Sequence, residues 1–339
     1  EPTRLARRLG VGDAVFIGLG SMIGAGVFAA IGPAAEAAGS GLLIGLVIAA
    51  AVAYCNASSS AALAALYPSS GGTYVYGRER LGAFWGYLAG WGFVVGKTAS
   101  CAAMALTVGA YAAPDWQRPI AVAAVVALTA VNYAGIRKTA ALTRVIVTVV
   151  LASLALVVAG ATLGGTASAD NLGDLGGGGV TGILQSAGLL FFAFAGYARI
   201  ATLGEEVEDP ARTIPRAIPL ALGITLVVYA AVAVSALVAV GPDALAGSDA
   251  PLATAVRAGD LDTLVPAVRV GGTIAGLGVL LALIAGISRT AFAMAADREL
   301  PGWLDAVHPT HKVPYRAELT AGVLIVALVT LTDLRGAIG

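Results

Sequence analysis

Residues 18–28 read Gly18-Leu19-Gly20-Ser21-Met22-Ile23-Gly24-Ala25-Gly26-Val27-Phe28, an apolar stretch with glycine at four of eleven positions. It lies inside a run long enough to cross a membrane, although glycine in a helix interior costs about 1 kcal/mol relative to alanine. Two readings compete. Small residues let membrane helices approach closely; alternatively, the helix is interrupted here. In hydrocarbon an unsatisfied backbone group costs several kcal/mol, so an interruption is tolerated only where it faces protein or a water-filled cavity.

The surrounding composition sets the solvent. The chain has 339 residues, 58% hydrophobic and 12% charged, with a mean hydropathy of +0.87. Too little polar residue remains to cover a water-facing surface, so an integral membrane protein is expected. The formal net charge is zero, which leaves no basic patch for nucleic acid. Cys55 and Cys101 sit in apolar stretches among small neighbours and are expected as buried thiols rather than a disulfide. The first apolar run is too long for a cleavable signal peptide.

A hydrocarbon core about 30 Å thick needs about 20 apolar residues per helix. By that measure spans are expected near 13–36, 41–66, 82–112, 119–135, 139–163, 181–203, 215–240, 265–294 and 317–333. Lysine and arginine fall unevenly between the connections. With the N-terminus inside, Arg4, Arg7, Arg8, Arg78, Arg80, Arg137, Lys138, Arg144, Arg199, Arg212, Arg216, Arg289, Arg298, Lys312 and Arg316 lie on the inner side. Arg118, Arg257, Arg269 and Arg335 lie on the outer side. The excess predicts a cytoplasmic N-terminus in a cell membrane. The outer linkers GGTASADNLGDLGGGG and GPDALAGSDAPLATAVRAGD read as loops without packing duties.

A second interruption is expected in the sixth span. LLFFAFAGYARIATLGEEVEDPARTIPRAI (189–218) is apolar through Phe194 and meets Gly196, Tyr197 and Arg199 before an acidic run. Paired glycine-interrupted helices in corresponding positions of two halves point to the binding site of a secondary transporter. A broken helix offers free N–H groups at a positive dipole end and free carbonyls at a negative one. An amino acid zwitterion matches both.

These residues carry a resemblance. GSMIGAGVF (20–28), FFAFAGY with EEVEDPARTIPRAI (191–218), and SRTAFAMAADRELPGWLDAVHPTHKVPYRA (288–317) are similar, in order, to the first, sixth and eighth helices of the amino acid-polyamine-organocation superfamily. The resemblance implies an all-α polytopic membrane protein of the leucine-transporter fold, with helices 1 and 6 broken. Residues 1–339 would form one transmembrane domain, with helices 1–5 (about 13–163) as the first inverted repeat and helices 6–9 (about 181–333) as an incomplete second one. The fold needs a tenth helix, so the chain is expected to be a fragment of a longer protein. Carried over by position, the substrate carboxylate would meet the amides of Gly24, Ala25 and Gly26. Its amino group would meet carbonyls near Met22, Ile23, Phe192 and Ala195, beside Gly196. Phe192 and Phe194 would line or gate the side-chain pocket, or else fill core.

Coupling leaves alternatives open. Sodium-coupled members use hydroxyls of the eighth helix, for which Ser288 and Thr290 are candidates, with Ser21 opposite; serines that bond their own helix are the plainer reading. Several relatives place a fifth-helix lysine where that sodium would sit, and here the matching position is Val150. Lys97, in GYLAGWGFVVGKTASCAAMAL (86–106), is stranded about fifteen residues from either end of the third span. It is a surrogate cation or proton carrier, or it is neutralised by carbonyls. Gly96 replaces the glutamate of the cationic amino acid branch, which favours neutral substrates.

The expected function is therefore secondary active transport of amino acids, neutral ones first, by alternating access, driven by H+ or Na+. An uncoupled exchanger and a non-transporting sensor on the same fold are the alternatives. No enzyme chemistry, metal or organic cofactor is expected; HPTH (308–311) has too few ligands for zinc. Expected partners are an amino acid and the bilayer, with the protein a monomer or homodimer. Glu205, Glu206, Glu208 and Asp209 form either a solvated loop or an inner gate closed by Arg212, Arg216 and Arg289.

Overall fold

The computed structural model describes residues 8–67, 71–163, 165–204, 206–248, 250–259 and 262–331. Arg4, Arg7, Glu205, Arg335 and the last two residues of the expected ninth span lie outside them. The described residues form α-helices joined by short 3₁₀ turns, and β structure among them is limited to an isolated parallel bridge between Leu9 and Val207.

Each expected span has its helix. The first is split into α1 (Val11–Met22) and α2 (Ala25–Ala38); the second is α3 (Leu42–Leu66). A short helix, α4 (Thr73–Leu81), leads into the third span, α5 (Ala83–Ala112). The fourth and fifth are α6 (Gln117–Tyr133) and α7 (Ile136–Leu163). The sixth is α8 (Gly179–Phe194), a 3₁₀ turn over Ala195–Tyr197, and α9 (Ala198–Ala201). The seventh is α10 (Pro210–Ala246), longer than its pattern because Pro210 starts it one turn early and it runs on through a kink at Gly241, φ 74°. After α11 (Pro251–Ala258) come the eighth span, α12 (Val265–Ala296), and the ninth, α13 (Tyr315–Leu331).

α11 corrects the reading of the outer linkers. Pro251 opens it, and Leu252, Ala255 and Val256 share one buried face, the helical spacing that a Gly- and Asp-rich setting disguised. Cys55 is a second correction: both thiols are free, but Cys55 is exposed beside Tyr54 on the outer face of α3, and Cys101 alone is buried.

α12 runs through the middle of the bundle. A Cβ at Gly271 would collide with Ser153 of α7, at Gly276 with Val108 of α5 and at Gly278 with Ile146 of α7. Small residues there are what let three helices close on one another. Asn132 of α6 joins them through polar bonds, donating to Leu281 O at 3.1 Å and accepting from Thr139 Oγ1 at 3.0 Å.

The arginine- and lysine-rich end is tied by charge. The Arg289 guanidinium grips Glu206 with Nε at 2.8 Å and Nη2 at 2.6 Å, and Nη1 lies 3.4 Å from Glu318. Arg199 Nη2 stands 4.0 Å from Glu206, and all four side chains are buried. Of the expected gate residues, Glu206 and Arg289 pair, while Arg212 bonds its neighbour Asp209 on the surface. Arg8 and Leu9 donate their N–H groups to Glu206 O, so the start of α1 is laced to the same loop. Outside the spans, Tyr74 donates to Asp297 at 2.6 Å; burial first, then that carboxylate, raises its phenol above the ordinary range. Arg78 pairs with Asp297 and Glu299, and Arg144 with Asp13.

Removing one member of a buried ion cluster leaves its partner uncompensated, a cost of about 3–5 kcal/mol. An exposed pair contributes at most about 1 kcal/mol. Arg289→Met is therefore expected to lose the monodisperse peak on size-exclusion chromatography after a heat challenge that wild type survives, whereas Arg212→Met leaves it unchanged.

Candidate functional site

The interruption of the first span occupies two residues. Ile23 leaves helical geometry at φ −78°, ψ 73°, its N–H still on Leu19 O at 2.6 Å. Gly24 follows at φ −140°, ψ −145°, with its N–H turned back onto Met22 O at 2.9 Å. No side chain caps the start of α2, so the first-turn amides, beginning at Ala25 and Gly26, present a positive helix end. Both readings of the glycines hold at once. A Cβ at Gly24 would collide with Val279 and lie 3.0 Å from Ala275 O of α12; one at Gly26 would lie 2.7 Å from Ala193 Cβ of α8.

The sixth span is interrupted differently. Instead of an extended break, α8 tightens into the 3₁₀ turn at Ala195 and continues as α9. Gly196 is required there because a Cβ would strike the Ser21 carbonyl. Ser21 Oγ lies 2.7 Å from Gly196 O and 2.9 Å from Gly18 O, so its single proton is shared between the two broken elements.

Tyr229, in the middle of α10, is the residue the sequence did not single out. Its hydroxyl donates to Met22 O and lies 3.2 Å from Ala193 O, while its ring packs 5.1 Å from that of Phe194. One buried phenol thus spans the end of α1 and the last turn of α8. The signal was available: a lone phenol in the apolar run GITLVVYAAVAV needs a partner.

Two spaces meet at the contact between Gly26 and Ala193. One is a cleft between the interrupted helices, α5 and α12, lined by Ser21, Met22, Phe192, Gly196, Lys97 and Ser100 among others. The other is a narrow apolar chamber whose walls include Ile31, Leu42, Leu46, Leu190 and Ala233, with Tyr229 at its edge.

Of the residues expected from sequence, Ser21, Met22, Gly26, Phe192, Gly196 and Lys97 come together around the cleft. Ile23, Gly24 and Ala25 form the interruption itself, and Ala195 opens the 3₁₀ turn. Phe194 is fully buried against Tyr229 and lines neither space, so it fills core. Ser288 Oγ donates to Ala285 O of its own helix at 3.0 Å, the plainer of its two readings. The Thr290 hydroxyl is buried without a partner among the described residues, and neither side chain lines the cleft. Val150 is buried. Lys97, on α5, places its ammonium 5.9 Å from the Phe192 ring centroid, within cation–π range.

A bundle of apolar spans with two interrupted helices facing a cleft is the build of a multi-pass membrane transporter. The model of the amino acid permease family matches residues 9–336, and the chain belongs to that family. It is similar to an uncharacterized transporter of Mycobacterium tuberculosis, 67% identical over 339 residues, covering 100% of this chain and 77% of that protein. It is also similar to the branched-chain amino acid permease BcaP of Bacillus subtilis, 28% identical over 97% of this chain and 76% of that one. Among solved structures, MhsT in complex with L-phenylalanine superposes with a TM-score of 0.69, covering 98% of this chain and 80% of that one at 14% identity. The fold is thus leucine-transporter-like, with helices 1 and 6 interrupted.

Tyr229→Phe keeps the ring packing and removes the bridge between α1 and α8. A cysteine placed at Ala233, in the closed apolar chamber, is expected to react with a small maleimide severalfold faster in the Tyr229→Phe background, read by mass spectrometry of the labelled protein.

Proposed function

We propose that the protein is a secondary active amino acid transporter working by alternating access, with the cleft as its substrate site. One observation carries this reading: the uncapped start of α2 opens beside a cleft walled on the opposite side by α8 and its 3₁₀ turn. The positive helix end suits a carboxylate. The Ile23 carbonyl suits the ammonium better than Met22 O, which already accepts from Gly24 N–H and Tyr229. With no carboxylate among the described residues lining the cleft, cargo with a cationic side chain is disfavoured.

We further propose a proton gradient as the driving force. Of the hydroxyls expected to hold sodium, Ser21 lines the cleft while Ser288 and Thr290 do not, which disfavours a sodium site assembled there. In this reading helices 1–5 and 6–9 act as two repeats, the N-terminus is cytoplasmic, which the lysine and arginine excess favours, and the membrane is the cell membrane.

The test is uptake of labelled amino acids into proteoliposomes under imposed gradients. A pH gradient is expected to drive accumulation and a sodium gradient to leave it unchanged. Counterflow indifferent to both would identify an exchanger, and saturable binding without flux a sensor. Gly24→Val, which forces a side chain into α12, is expected to reduce uptake at least 10-fold while the protein remains monodisperse.

A further inference from the structure

Resting on that reading of the cleft, we propose that Lys97 recognises the side chain of the cargo and that the preferred substrate is an amino acid with an acidic side chain.

Lys97 is 14 residues from Ala83 and 15 from Ala112, the two ends of α5. At about 1.5 Å per residue each end is roughly 20 Å away, beyond the reach of a lysine stem. Its ammonium therefore stays at the cleft. No described carboxylate lies within 4.0 Å of it, and it is the one ionisable side chain among the described cleft residues. Ser100, a turn further along, spends its hydroxyl on Gly96 O at 2.8 Å. The Phe192 ring, 5.9 Å away, is attractive to a cation yet carries no net charge. Among the described residues, then, nothing compensates the ammonium before cargo arrives.

A neutral zwitterion does not correct this. Its carboxylate is answered by the start of α2 and its ammonium by backbone carbonyls, so the account balances without Lys97 and its charge remains over. An acidic amino acid brings one further negative charge, and a charge-assisted hydrogen bond from Lys97 cancels the excess. Half of Phe192 is exposed at the same wall, where its ring flanks the stem of such a side chain. This proposal departs from the neutral cargo expected from sequence, where Lys97 had no position relative to the site.

The experiment compares uptake of labelled L-glutamate, L-aspartate and L-leucine in proteoliposomes containing wild type, Lys97→Met or Lys97→Arg. Wild type is expected to take up an acidic amino acid at least 10-fold better than leucine. Lys97→Met should lose that preference at least 10-fold while binding leucine, which shows that the variant is folded, and Lys97→Arg should retain most of it. Equal handling of leucine and both acidic amino acids by wild type overturns the proposal and leaves the transport reading standing. So does an equal loss of all three in Lys97→Met, which would make Lys97 an α-carboxylate anchor or proton carrier. Failure to bind or move any amino acid overturns both.

Discussion

In hydrocarbon every peptide group must find its partner within the protein, and the interruption at Ile23 and Gly24 puts that rule to work. Met22 O is served twice, by Gly24 N–H and by Tyr229, and Gly196 O is served by Ser21. Those bonds join α1, α8 and α10 around one point. The packing of α12 follows from it, since Val279 occupies the space that a side chain at Gly24 would need. The cleft is what remains open once these demands are met.

The opposite strategy holds the arginine- and lysine-rich end. There Arg199, Arg289, Glu206 and Glu318 are buried together as two positive and two negative charges, neutral as a set. Glu318 keeps one oxygen, and Arg199 two nitrogens, without hydrogen-bond partners among the described residues. Such a cluster favours one arrangement less by net stability than by the cost of separating its members. With the Leu9–Val207 bridge, it fixes the start of α1 to the loop after α9.

Much of this was legible in the chain. Length and hydropathy locate the spans because about 20 apolar residues in succession have few other uses. The glycines at 24, 26 and 196 mark the interruptions because each lies where another helix would meet its side chain. What escaped depends on distance in sequence. Tyr229 lies 207 residues from Met22, and no local pattern pairs them. Lys97 looked stranded because the ring it faces, Phe192, belongs to another helix. α11 was hidden by flanking glycines and aspartates, and the 3₁₀ form of the second interruption by the fact that Gly196 permits several geometries.

The Tyr229 hydroxyl has one proton and two carbonyls within reach. It can donate to Met22 O or to Ala193 O, but not fully to both. Met22 O also holds the Gly24 N–H, so the phenol can turn to Ala193 O without stranding the carbonyl it leaves. One proton thus gives the contact between α1 and α8 two hydrogen-bonded forms that differ only by a turn of a hydroxyl.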